Sequence, residues 1–461
     1  MKTKIVATIG PSSADKNIQE VLIRAGLDVA RFNFSYGKYE EFATWADNLR
    51  KIATKLEKNV AIMQDLQGPR IRIRNLAQGL EVKVGPEIKI GQGGEVDLEI
   101  DGFNIISYLK IGERLLIDDG MIKMRIVRKE GKAIICQILT SGVIKPNSSI
   151  NFPDSNLHLP SLTDKDKADL KFGLGISVDF VALSFVHSAK DILILKRYLE
   201  RISDRKTLPK LIAKIETDEA ITNINEILKV ADGLMIARGD LGIEIGRELV
   251  PSIQKSIIKK ALILGKPTIV ATQMLASMIH EPLPTRAEVS DVANAALDGA
   301  DAVMLSNETA VGDYPREAVK EMQKILNVTR SENLGLEIHD FISEIDHLAL
   351  AACDLATKLG AKIILTVTKS GFTAKMIAKH RPNFPIIALT ANDNVAKELA
   401  LIWGVDAYVL PHFSNAEELL QKSVEFVRRK NIVSARSKII LIAGHPADKP
   451  SLTNLLKVVT I

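Results

Sequence analysis

Short apolar runs of strand length recur up to about residue 330, most followed by a helical pattern: residues 5–9, 28–35, 59–65, 180–185, 210–216, 233–240, 267–274 and 302–308. Continuous Val, Ile, Leu and Ala runs alternating with amphipathic stretches, such as residues 17–25 and 318–329, predict parallel strands buried on both faces. Eight such units suggest a closed (β/α)8 barrel of the α/β class. Every run ends in polar residues, which is where barrel active sites are built.

The alternation breaks from about Gly68 to Thr163. Alternating segments at 81–84, 95–100, 121–127 and 133–139, separated by Gly85-Pro86, Gly91-Gln-Gly-Gly94 and Asp118-Asp-Gly120, predict a small β-barrel inserted in a βα loop. Placed over the strand ends it would act as a lid; an inert insertion is the alternative. After about Asn333, runs at 362–368, 385–390, 407–410, 438–443 and 455–461 predict an open α/β sheet of about five strands. The expected division is residues 1–68 and 164–333 for the barrel, 69–163 for the lid and 334–461 for the C-terminal unit.

A chain of 461 residues, 46% hydrophobic and 25% charged, can bury several cores, which agrees with about three domains. Its net charge of +5 is small against 61 basic and 56 acidic residues, and these intermingle without a long basic block, so nucleic-acid binding is not expected. No apolar run approaches the ~18 residues of a membrane span, and the opening residues are strand-like rather than a signal peptide. Two cysteines, Cys136 and Cys353, both in apolar runs, make no disulfide framework and read as buried thiols. A cytoplasmic protein is expected.

Candidate chemistry gathers at the run ends. In Arg31-Phe-Asn33-Phe-Ser35 a strand's period of two puts Arg31, Asn33 and Ser35 on one face. A buried Arg there requires an anion, either a phosphate or a structural carboxylate. Lys214-Ile-Glu216 repeats the pattern, and Arg238-Gly239-Asp240 closes the next run. Glu216 and Asp240 suffice as protein ligands for Mg2+, which completes its shell with substrate oxygens and water. Lys214 beside them can hold phosphoryl oxygens, and Gly239 leaves its backbone N–H open to a substrate carboxylate. Thr272, Ser306 and Glu308 can relay a proton through water to a carbon centre, unless the hydroxyls bond their own backbone. No GxxxxGK[ST] loop occurs, which excludes a P-loop site.

Taken together, Thr8-Ile-Gly-Pro-Ser-Ser13, Arg31-Phe-Asn-Phe-Ser35, Asp65-Leu-Gln-Gly-Pro69, Ala237-Arg-Gly-Asp-Leu-Gly242, Ala271-Thr-Gln-Met274, Pro284-Thr-Arg-Ala-Glu288 and Glu308-Thr-Ala closely resemble, in order and spacing, the signatures of pyruvate kinases. The resemblance covers the whole chain. It implies phosphoryl transfer from phosphoenolpyruvate to ADP, with Lys214 and Arg31 at the transferring group and Glu216 and Asp240 on Mg2+ (or Mn2+). The backbone from Arg238 to Asp240 and the Thr272 hydroxyl would hold the substrate carboxylate. Thr272, Ser306 and Glu308 would stand near the proton that reaches carbon, and Asn33 and Arg72 near the nucleotide phosphates. A homotetramer is implied as well.

Several positions depart from the family pattern. Many members hold K+ with residues like Asn33, Ser35, Asp65 and a Thr, which here is Leu66, and the Glu shortly after is Arg70. That combination resembles the branch that dispenses with K+, the fixed guanidinium of Arg70 replacing its charge. On the nucleotide side Tyr36 replaces a usual His, Asn307 a usual Gly, and a late basic pair of the lid is reduced to Lys145. In the last unit, Thr368, Lys369, Ser370, Gly371 and Thr373 lie where a strand meets a helix. They resemble a sugar-phosphate effector loop, an ordinary N-cap being the alternative. The final loop, Gly444-His-Pro-Ala-Asp-Lys-Pro450, lacks the Trp and Arg with which some relatives bind fructose 1,6-bisphosphate. Two rival readings are another Mg2+-enolpyruvate barrel, such as an aldolase, and a non-catalytic phosphosugar sensor.

Overall fold

The computed structural model describes residues 3–101, 104–118, 120–155, 157, 159–204, 207–329, 340–410, 416–444 and 453–461. Residues 445–450 of the final loop and the expected boundary at 333 lie outside these. Eight strands, β1 (Lys4–Thr8), β2 (Leu27–Asn33), β3 (Ala61–Asp65), β4 (Phe180–Leu183), β5 (Lys210–Ile215), β6 (Gly233–Ala237), β7 (Thr268–Ala271) and β8 (Ala302–Leu305), close into a barrel in the order β1-β8-β7-β6-β5-β4-β3-β2. Every neighbour is parallel. The strand bodies are buried on both faces, as unbroken aliphatic runs require.

Most strands stop before the polar tail of their run, and the tails take other geometry. Arg238 opens a helix, Arg238–Ile245, and Asn307 opens a single turn, Asn307–Ala310. Phe185, Thr272 and Gln273 adopt φ of +53°, +69° and +54°, a region that side chains with a Cβ rarely occupy. The period of two therefore ends at Asn33, short of Ser35. At these three positions strained backbone redirects side chains at the barrel mouth.

The segment inserted after β3 forms a seven-stranded sheet in the order Ile71–Arg72, Ser149–Asn151, Arg114–Ile117, Ile122–Glu130, Ala133–Ile138, Glu87–Gly91, Leu98–Glu99. Its two edges meet through an Ile73–Ile100 bridge, an Arg74 N–H donated to Glu99 O at 2.9 Å and an Asp101 N–H donated to Arg72 O at 3.1 Å. The sheet thus curls into a small barrel with its own core, which includes Leu115, Met124 and Cys136. Burial pushes the Cys136 thiol up to about 12. Both ends of the insertion are tied to one buried carboxylate: Asp166 accepts from Gly68 N at 3.2 Å and from Thr163 N at 2.9 Å.

The C-terminal unit is a five-stranded sheet ordered Val405–Val409, Ile386–Thr390, Ile364–Val367, Lys438–Gly444, Thr453–Thr460, antiparallel only at the last pair. Its Ala400 and Leu401 pack with Val6, Met63, Met235 and Met304 of the barrel interior. Arg381 reaches Gly299 O at 2.7 Å and Asp301 Oδ2 at 3.1 Å, just ahead of β8. The unit therefore closes the N-terminal end of the barrel and leaves the opposite end for chemistry. Among the described residues no helix is long and apolar enough to cross a membrane.

Candidate active site

At the C-terminal strand ends Lys214 is the centre of a buried polar cluster. Its Nζ lies 2.6 Å from Ser184 Oγ, 3.0 Å from Glu216 Oε1 and 3.2 Å from Asp65 Oδ1. Arg31 Nε donates to Asp65 Oδ2 at 2.7 Å, and Arg31 Nη1 donates to Thr8 Oγ1 at 2.8 Å. Two cations thus share one carboxylate. Burial pushes the Asp65 carboxyl up, but Lys214 and Arg31 outweigh it and hold the group below the usual carboxylate range. Burial likewise opposes the Lys214 ammonium, and Asp65 with Glu216 override it, so the amine stays charged above its ordinary range. Of the two anions that could satisfy a buried Arg31, the structure supplies a carboxylate for Nε. Arg31 Nη2 has no hydrogen-bond partner among the described residues.

Glu216 is wholly buried, and its Oε2 accepts from Phe185 N at 2.7 Å. Its Oε1 approaches Lys214 without a well-directed hydrogen bond and has no other partner. Burial raises the Glu216 carboxyl, Lys214 pulls it down and Asp240 pushes it up, the net direction being upward. A buried carboxylate oxygen whose only ion-pair partner among the described residues is the Lys214 ammonium, beside a second carboxylate, suits a hard divalent cation. Among the described residues no group of three or more His, Cys, Asp and Glu side chains converges. An ion held by Glu216 and Asp240 would therefore complete its shell with water and substrate oxygens, which is the habit of Mg2+.

On the opposite side of the mouth, Thr272 Oγ1 accepts from Gly239 N at 2.9 Å and donates to Ala271 O at 2.6 Å. The Gly239 N–H, expected to be open, is thus engaged by the residue expected to share its ligand. Buried Glu308 accepts from Ser306 N at 2.7 Å and Leu275 N at 3.2 Å, so both carboxylate oxygens brace the loops after β7 and β8. Arg238 forks onto Asp291 at 2.8 and 2.7 Å and reaches Thr272 O at 2.9 Å, holding the strained Thr272 turn. Asp291 lies 53 residues from Arg238 in a helix, and no local pattern announces it.

The expected nucleotide residues form two groups. Asn33 Oδ1 accepts from Ser35 N at 3.1 Å, and Tyr36 beside it is 66% exposed. Arg72 and Lys145 lie on the inserted barrel, where Arg72 Nη1 donates to Asn147 O at 3.0 Å and Lys145 Nζ is 3.7 Å from Asp118. Of the positions compared with a K+ site, Leu66 is buried in the barrel's hydrophobic shell and offers only its carbonyl, which accepts from Ser184 Oγ at 2.7 Å. Arg70 Nη2 lies 3.5 Å from Asp240 Oδ2, with the guanidinium 5.6 Å from the Phe185 ring centre. Burial works against its charge, and Asp240, Glu216, Tyr36 and Asp65 together more than restore it. A fixed positive charge thus stands among the site's carboxylates.

A cleft of about 570 Å³ opens beside Arg70 and Asp240, between Phe152 and Asp154 of the inserted segment and Thr217 and Glu244 of the (β/α)8 barrel. Glu244 is pushed up to about 7 by burial, then by Asp240 and Asp218. A carboxyl raised on folding contributes stability that is present below its ordinary range and lost as pH rises through the folded value. In metal-free buffer Glu244→Gln should accordingly gain melting temperature relative to wild type at pH 8 and not at pH 5, as measured by calorimetry.

In the C-terminal unit Thr368 Oγ1 accepts from Gly371 N at 2.9 Å, and Gly371 takes φ of +79° as the N-cap of helix Phe372–Lys379. The N-cap carries no side-chain cap, and Thr373 bonds Thr453 at 2.6 Å. Lys369 and Ser370 are exposed in the same loop.

Residues 1–319 match the family model described as pyruvate kinase, barrel domain, and residues 346–459 match pyruvate kinase, alpha/beta domain. The chain belongs to the pyruvate kinase family. A pyruvate kinase of Geobacillus stearothermophilus is 43% identical over 475 aligned positions, covering 99% of this chain and 80% of the relative. One from Staphylococcus aureus is 40% identical with the same coverage. The crystal structure of a pyruvate kinase from Cryptosporidium parvum superposes with a TM-score of 0.92 at 34% identity, covering 100% of this chain and 96% of that one. Membership in the pyruvate kinase family makes the protein a phosphotransferase and sets the aldolase reading aside.

Proposed function

We propose that the protein transfers the phosphoryl group of phosphoenolpyruvate to ADP, giving pyruvate and ATP, with Mg2+ and without K+. The observation that carries this reading is the charged Lys214 amine held between Asp65 and Glu216, with Arg31 on the same Asp65 carboxylate, a pair of buried cations at the barrel's C-terminal strand ends. Phosphoryl transfer asks little covalent chemistry of a protein and much electrostatic stabilisation of the three equatorial oxygens. In the proposed step the bond between the phosphorus and the enol oxygen breaks, and an ADP β-phosphate oxygen takes its place. Lys214 and Arg31 neutralise the transferring group, and the Thr272 turn with Gly239 and Asp240 orients the carboxylate. A divalent cation at Glu216 and Asp240 supplies Lewis-acid neutralisation of phosphate charge. Asn33, Tyr36, Arg72 and Lys145 face the nucleotide. The enolate left behind takes a proton at its methylene carbon, delivered through water near Thr272 and Ser306, with Glu308 bracing that side. This makes the overall step strongly favourable.

Arg70 supports the K+-free reading, since it places a permanent charge where Asp240, Glu216 and Asp65 converge electrostatically. Pyruvate formation in a sodium-free tetraalkylammonium buffer should be unaffected by added K+. Arg70→Gln should lower it by about tenfold or more, the order of losing one preorganised charge. A K+ requirement in the wild type would overturn the reading. We further assign the loop of Thr368, Lys369, Ser370, Gly371 and Thr373 to a phosphorylated effector, in a cytoplasmic homotetramer.

A further inference from the structure

We propose that Ser184 is a positioning residue for Lys214, fixing the ammonium at the phosphoryl group while Glu216 exchanges partners. The inference rests on the phosphoryl-transfer reading above. The Ser184 hydroxyl carries one proton, and Leu66 O, an acceptor with no proton to give, lies 2.7 Å away. That proton is therefore committed to Leu66, and the hydroxyl lone pairs face Lys214 Nζ at 2.6 Å. Ser184 is the only neutral partner that Nζ has among the described residues, the other two being Asp65 and Glu216. When Glu216 turns to a cation and Nζ to phosphoryl oxygens, the two charged contacts must rearrange, whereas the Ser184 contact can persist.

The local backbone is built for this. Phe185 adopts φ of +53°, and its N–H goes to Glu216 Oε2 at 2.7 Å, so the Ser184-Phe185 pair just after β4 contacts both Lys214 of β5 and Glu216 just beyond it. A Cβ at Gly68, itself at φ of +68°, would stand 3.0 Å from Ser184 Cβ, so the loop after β3 packs directly against the pair. Strain at this point is consistent with a backbone held for aim rather than for its own stability.

The test compares wild type, Ser184→Ala and Ser184→Thr in pyruvate formation and in thermal melting. Ser184→Ala should lower kcat by about tenfold or more, because small misplacements of a catalytic group cost up to about 10²-fold. The KM for phosphoenolpyruvate and the melting temperature should hardly move, and Ser184→Thr, which keeps the hydroxyl, should recover most of kcat. An unchanged kcat in Ser184→Ala would overturn the proposal. So would a loss that tracks KM or melting temperature, or one that Ser184→Thr fails to recover. Wild type without activity would sink the functional reading itself, a different result from any of these.

Discussion

Lys214→Met should lose about 10³-fold or more in kcat, with a much smaller change in the KM for phosphoenolpyruvate. The magnitude corresponds to roughly 4 kcal/mol of transition-state stabilisation. The reason is the burial of the group: with 8% of its side chain exposed, the Lys214 ammonium acts where water screens little. Methionine keeps the length and removes the charge, so the loss reports on electrostatics rather than on a void. Asp65 would retain Arg31 as a partner at 2.7 Å, so the variant should still fold. Steady-state kinetics together with a melting curve check both halves. A fall in KM-dependent terms alone, with kcat retained, would mean that Lys214 only binds substrate.

Glu216→Gln should cost a comparable factor and, unlike Lys214→Met, should abolish the response to Mg2+. Glu216 offers a buried carboxylate oxygen without a hydrogen-bond partner, and Asp240 is the second carboxylate of the pair. If these hold the cation, Mg2+ raises the melting temperature of wild type by preferential binding to the folded state, and this rise vanishes in Glu216→Gln. The amide keeps the shape and can still accept from Phe185 N, so the metal-free melting temperature should change little. An undiminished Mg2+ shift in the variant would move the cation site away from Glu216.

The strand bodies were legible because parallel strands buried on both faces leave unbroken aliphatic runs, as in residues 302–305 and 233–237. Their ends were not. Arg238-Gly239-Asp240 and Ser306 to Glu308 look like strand continuations, and only the chain's redirection at the barrel mouth turns them into helical turns. That redirection also explains why the Gly239 N–H meets Thr272 Oγ1 and why Glu308 takes two backbone N–H groups, contacts between elements that no local pattern encodes. Lys214, Glu216, Asp240 and Arg31 were readable because charged residues at the ends of buried runs have few structural uses. Ser184 was hidden inside a run that looked like uninterrupted strand, and its signal would have been a lone hydroxyl two residues before Val186 in an otherwise apolar stretch. The plug formed by Ala400 and Leu401 was invisible for the same reason, since its partners lie in the barrel interior, far away in sequence.

The most direct test follows phosphorus through the reaction. Phosphoenolpyruvate, ADP and Mg2+ in K+-free buffer, observed by phosphorus NMR with wild type and Lys214→Met, should give ATP and pyruvate in equal amounts with wild type and almost none with the variant. Absence of ATP with wild type, release of free phosphate in its place, or equal rates for the two proteins would contradict the account.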